Sequence, residues 1–110
     1  MGLDAGSLDR RIRVMRSLKM DDGLSAVPGE PGEIARRWAK KTDISDAERV
    51  AAASQGLTIT SRFLMRWDSL TSTIGGADQL VCEGVTSEVV GAKEAMGRRV
   101  AVEVTAKALA

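Results

Sequence analysis

The stretch DISDAERVAAASQGLTITSRFLMRW, Asp43 to Trp67, changes its apolar period at Gly56, and that change decides what kind of fold the chain makes. Before the glycine, Ala47, Val50, Ala51 and Ser54 fall at i, i+3, i+4 and i+7, a narrow stripe of small residues on one helix face. Ser45 and Glu48 have capping-box spacing, in which the hydroxyl and the carboxylate satisfy free amides of the first turn, and Gly56 supplies the stop. A helix of about ten residues is too short to be stable alone, so it must rest on its own barrel or on a neighbouring subunit. After Gly56 the period is two. Leu57, Ile59, Ser61, Phe63, Met65 and Trp67 share one strand face, expected in the core, and Thr58, Thr60, Arg62, Leu64 and Arg66 share the other.

Working outward, LDRRIRVMRSLKM (Leu8 to Met20) reads as a half-buried strand. Ile12, Val14 and Leu18 lie on one side, Arg11, Arg13 and Met15 on the other, and Arg16 interrupts the apolar side. DDGLSAVPGEPGE (Asp21 to Glu33) holds both prolines and shows neither period, which predicts a loop of about a dozen residues. EIARRWAKK reads as a second strand at an edge or rim, with Ile34, Arg36 and Trp38 on one face. Gly75-Gly76 between short extended pieces signals a hairpin, and Met96-Gly97 marks another turn. Beyond it Val100, Val102 and Val104 alternate against Arg99, Glu103 and Thr105. The expectation is a single mainly β domain over residues 1–110: a small antiparallel β-barrel of about six strands, with one short α-helix between strands 2 and 3 and a long loop after strand 1.

Composition narrows the function. The chain of 110 residues is 44% hydrophobic and 28% charged, a globular profile with no run long enough to span a bilayer and no signal-peptide order at its start. Sixteen basic against fifteen acidic residues leave a net charge of +1, against the strong basicity of dedicated nucleic-acid binders. One Phe, two Trp and no Tyr are too few for a base-stacking platform, and Trp38 and Trp67 are expected in the core or an interface. The absence of histidine removes the commonest general base and most zinc sites. Cys82, the lone cysteine, reads as core filling suited to a reducing cytoplasm. The acids Asp21, Asp22, Glu30 and Glu33 lack calcium-loop spacing, so neither a metal nor a cofactor is expected and the reading is not an enzyme.

The order of short motifs carries more than any one of them. DAGSLDRRIRV (Asp4 to Val14), an acidic-Gly turn DDG, Trp38-Ala39, SDAERVAAA, TITSR (Thr58 to Arg62), VCEGV (Val81 to Val85) and the closing VAVEV occur in sequence across nearly the whole chain. In that order they resemble the head-tail adaptor, or head-closure (head-completion, stopper), family of tailed bacteriophages and gene transfer agents. The chain departs from the family pattern at DQLVCEGV, which lacks an aromatic residue, and at SRFLMRW.

The resemblance implies a β-barrel whose copies form a ring, of about twelve in the particle, closed head-to-tail. Such a ring lies under the portal at the virion neck, connects head to tail, extends the DNA channel and helps retain packaged DNA. Its implied partners are further copies of itself, the portal or an upper adaptor ring, a tail-completion or tail-terminator protein, and the duplex DNA passing through; no membrane is involved, and assembly is in the host cytoplasm. Candidate subunit-interface or channel-facing residues are Asp22, Trp38, Ser45, Glu48, Arg49 and Ala52, and candidate DNA-facing residues are Arg10, Arg11, Arg13 and Arg16. The alternative is a small β-barrel nucleic-acid-binding protein that uses those arginines with Arg36 and Arg37.

Overall fold

The computed structural model describes residues 3–21 and 26–109, and side chains other than those of 18–29. Six strands, β1 (Arg10–Asp21), β2 (Ala26–Asp43), β3 (Ser61–Arg66), β4 (Asp78–Cys82), β5 (Val85–Ala95) and β6 (Ala101–Ala108), close an antiparallel barrel in the order β1-β2-β3-β6-β5-β4. One helix, α1 (Asp46–Ala53), joins β2 to β3. The expected fold class is therefore the observed one.

Alternation explains the interior. Ile12 and Val14 of β1, Phe63 and Met65 of β3, Leu80 and Cys82 of β4, Val89 of β5 and Val102, Val104 and Ala106 of β6 point inward and are buried. A six-stranded barrel is narrow enough for such side chains to fill it, and Phe63 is the largest of those fully buried. The inward face anticipated for Ile59 to Trp67 is the one observed, although β3 begins at Ser61 and Leu57 is exposed.

Three local expectations need correcting. Residues 26–33, read as loop, are strand: β1 and β2 stay paired from Arg10↔Ala39 out to Asp21↔Ala26, with register shifts after Val14 and Ser17. Prolines are tolerated there because β3 joins β2 only from Ala39 onward, so the earlier part of β2 has a partner on one side alone. This bears out the rim reading for the first part of β2, but the core-facing residue is Ala39, fully buried, while Trp38 is 52% exposed.

The second correction concerns Gly75-Gly76, which forms no hairpin, since β3 pairs with β2 and β6, and β4 with β1 and β5. The chain instead crosses from β3 to β4 through a 3-10 turn, Thr71–Thr73. The tight hairpin lies at Glu83-Gly84, between the paired Cys82 and Val85, where φ is +51° and +80°. Positive φ at both central residues is the type I′ geometry that matches strand twist. The Met96-Gly97 turn falls where expected, between β5 and β6.

The third correction is in α1. Ser45 caps it, its Oγ accepting from Glu48 N at 3.3 Å, but the Glu48 carboxylate turns to Arg62 rather than to a free amide. The helix stops at Gly56 (φ +77°), with Leu57 N donating to Ala52 O and Gly56 N to Ala53 O, the paired bonds of a Schellman ending. No residue of α1 is buried. The expected apolar stripe of Ala47, Val50, Ala51 and Ser54 faces outward, with Val50 70% exposed, and only Glu48 and Ala52 are partly covered.

Candidate functional site

The candidate interface residues fall into two places, and Asp22 lies outside the described residues. Ser45, Glu48, Arg49 and Ala52 belong to α1 and its cap. Trp38 is on the outer face of β2, where it lines a groove with Ala5, Leu8 and Arg66 and carries the Arg11 guanidinium 5.3 Å above its ring, at cation–π range.

The arginines of β1 are not a bare basic run. Arg10 pairs with Glu83, Arg13 with Glu33, and Arg16 with Asp78, while Arg11 is stacked on Trp38. Glu33 also accepts from Arg36, and its carboxyl is held below the usual range by hydrogen bonds from Arg13 and then Arg36. Arg62 forks onto Glu48, with Nη1 donating to Oε1 at 2.9 Å, and so ties α1 to β3. That bond is the leading cause holding the Glu48 carboxyl below its ordinary range.

Sequence reasoning left Asp78 and Asp68 unmarked, yet they organise the barrel end where β4 begins. Arg16 and Arg37 reach them from strand positions on the inward side. Arg16 donates to both Asp78 oxygens at 2.8 and 2.9 Å and to Thr73 Oγ1 at 3.0 Å, and Gly75 N donates to Asp78 Oδ2. Burial alone would raise the Asp78 carboxyl, but the Arg16 and Gly75 bonds outweigh it and hold the group below its ordinary value. Beside it Arg37 donates to Asp68, which accepts from Leu70 N and Thr71 N. The buried Thr71 hydroxyl accepts from Asp68 N and donates to Arg66 O at 2.8 Å. The legible signal was Arg16 itself, a cation on an otherwise apolar strand face.

The opposite end, where α1 attaches, is open. Lys41 and Asp43 continue the inward face of Ala39, and with Ser61, Ser87, Ala108, Cys82, Phe63 and Arg49 they border a cavity of about 240 Å³. Ser61 was visible in the sequence as the one polar residue amid the inward face of β3. Cys82 forms part of this wall, and burial is the first cause raising its thiol above the ordinary value, which disfavours the nucleophilic thiolate. Among the described residues no cluster of three or more metal-ligating side chains occurs, and no helix is long and apolar enough to cross a membrane.

Comparison with known proteins supplies what geometry alone does not. The solution structure of protein SF1141 from Shigella flexneri 2a shares the fold, with a TM-score of 0.69, 15% sequence identity and 96% of each chain covered. No curated protein sequence matches the chain. The family model described as phage head completion protein matches residues 3–109, nearly the whole sequence. The chain therefore belongs to the phage head completion protein family, a family of structural virion proteins rather than enzymes, and it is a virion component with a structural role in the phage head.

Proposed function

We propose that the protein assembles as a ring beneath the portal, connects the head to the tail, extends the DNA channel and helps to retain packaged DNA. The observation that carries this reading is the family match over residues 3–109. Two features of the fold support it. Among the described residues the outward face of helix α1, with Val50 and small side chains, has no partner, and β2 before Ala39 is paired on one edge alone. Exposed apolar groups and free strand edges are what subunits use against one another, and a head-to-tail arrangement closes them into a ring. A net charge of +1 suits a channel wall that DNA must later leave, because a strongly basic wall would hold it. The arginines of β1 are spent on intramolecular partners, which favours passage of DNA over its capture.

The partners in this reading are further copies of the chain, the portal or an upper adaptor ring above, and a tail-completion or tail-terminator protein below. Particles made without the protein should contain packaged DNA, lack tails and lose that DNA on storage, and adding the purified chain should restore infectivity. Complete, infectious particles assembled in its absence would refute the proposal.

A further inference from the structure

We propose that the open end of the barrel, beside α1, is a binding socket for a carboxylate. The cavity of about 240 Å³ there is too large for one water and too polar to stay dry. Its form follows from the sequence. The inward positions at this end carry Ser61, Ser87, Ala106 and Ala108, side chains too small to fill the cross-section that Phe63, Met65 and Leu80 fill further in.

The wall then sets the ligand. Ser61 and Ser87 are 6% and 4% exposed, and neither hydroxyl takes a hydrogen bond from or gives one to any described residue. Among the described residues no buried side-chain oxygen is wholly shut off without a partner, so these hydroxyls open into the cavity. Two hydroxyls on one cavity wall with no partner among the described residues are available to a group from outside the chain.

Lys41 and Arg49 stand at the rim without an ion pair to any described residue, as does Asp43. Two cations against one carboxylate leave one net positive charge, which fits a monoanion that accepts from Lys41, Arg49 and the serine hydroxyls. A monoanion brings the site to neutrality, whereas a dianionic phosphate would leave a net negative charge in it. The occupant is thus a carboxylate, borne by a small acid or by an acidic side chain of another protein.

The test is an acetate titration of the isotope-labelled full chain at fixed ionic strength, read from backbone amide signals, with chloride, inorganic phosphate and a blocked glutamate tripeptide in parallel. Saturable shifts at Ser61, Ser87 and Ala108 are expected with acetate and with the peptide. Lys41→Met and the double variant Ser61→Ala/Ser87→Ala should each weaken binding about tenfold or more, whereas Lys93→Ala should not change it. Dispersed amide spectra of the variants show that they are folded. Tighter binding of the peptide than of acetate identifies a protein side chain as the occupant, and equal binding identifies a free acid. A response to acetate no different from chloride, tighter binding of phosphate, or shifts indifferent to Lys41→Met would overturn the proposal.

Discussion

At one end of the barrel Asp78, 3% exposed, takes two bonds from Arg16 and one from Gly75 N, while at the other the side chains of Ser61 and Ser87 are as deeply placed and take none from any described residue. Both ends put polar residues at inward strand positions. They differ in whether the chain supplies the partners. The Arg16–Asp78 and Arg37–Asp68 pairs, with Thr71 between strand and turn, seal one end as a finished network. The α1 end keeps its cations and hydroxyls unassigned, so it has the makings of a surface for something else. Stability should therefore be concentrated at the first end and recognition at the second.

The contrast is broken most directly by Arg16→Met. It leaves the Asp78 carboxylate buried without its forked partner, and because Arg16 itself is one-third exposed the cost is below that of a fully buried pair, about 2–3 kcal/mol, measurable as a drop in the urea midpoint. The same pair fixes an acid dependence. An unfolded aspartate titrates near about 3.9, and the folded Asp78 lies below its ordinary value. Its contribution is complete above the unfolded pKa and is lost as pH falls through the folded one. Unfolding curves taken from neutral pH downward should show this loss in the natural chain, and a shallower one in Arg16→Met.

Thr71→Val comes next. It removes a buried hydroxyl that serves Asp68 N and Arg66 O, at a cost of about 1–3 kcal/mol in the same measurement. Ser61→Ala and Ser87→Ala should fall within about 0.5 kcal/mol of the natural chain, because neither hydroxyl loses a bond. A large cost there would mean that the two ends are built alike. The smallest effect on folding is expected for Val50→Glu, since that side chain is 70% exposed. Under the proposed ring it should nevertheless reduce assembly, seen as lower infectivity at unchanged thermal stability.

How much of this was legible in the sequence depended on the range of the interaction. The change of period at Gly56, the cap at Ser45 and the alternation of Phe63 to Met65 and Val102 to Val104 are local, and each is found in place. Glu48 could be placed at the start of α1, but not its choice of Arg62, fourteen residues on, over a backbone amide. Gly75-Gly76 misled because two glycines make a turn without specifying which strands it joins, whereas Glu83-Gly84 makes the tight hairpin with only one. Residues 26–33 look like loop for their prolines and glycines, yet pairing with β1 prevails where only one edge must be satisfied. The partners of Arg16 and of Arg37 were hidden because Asp78 and Asp68 reach them only once the barrel closes.

The central claim is that this chain works as a ring on the portal. The most direct measurement is the mass, by native mass spectrometry, of the purified portal mixed with this chain. The account predicts a discrete complex carrying a full ring of copies, even if the free chain is monomeric, and loss of that complex with Val50→Glu. A chain that stays monomeric and never joins the portal, at any ratio of the two, would contradict it.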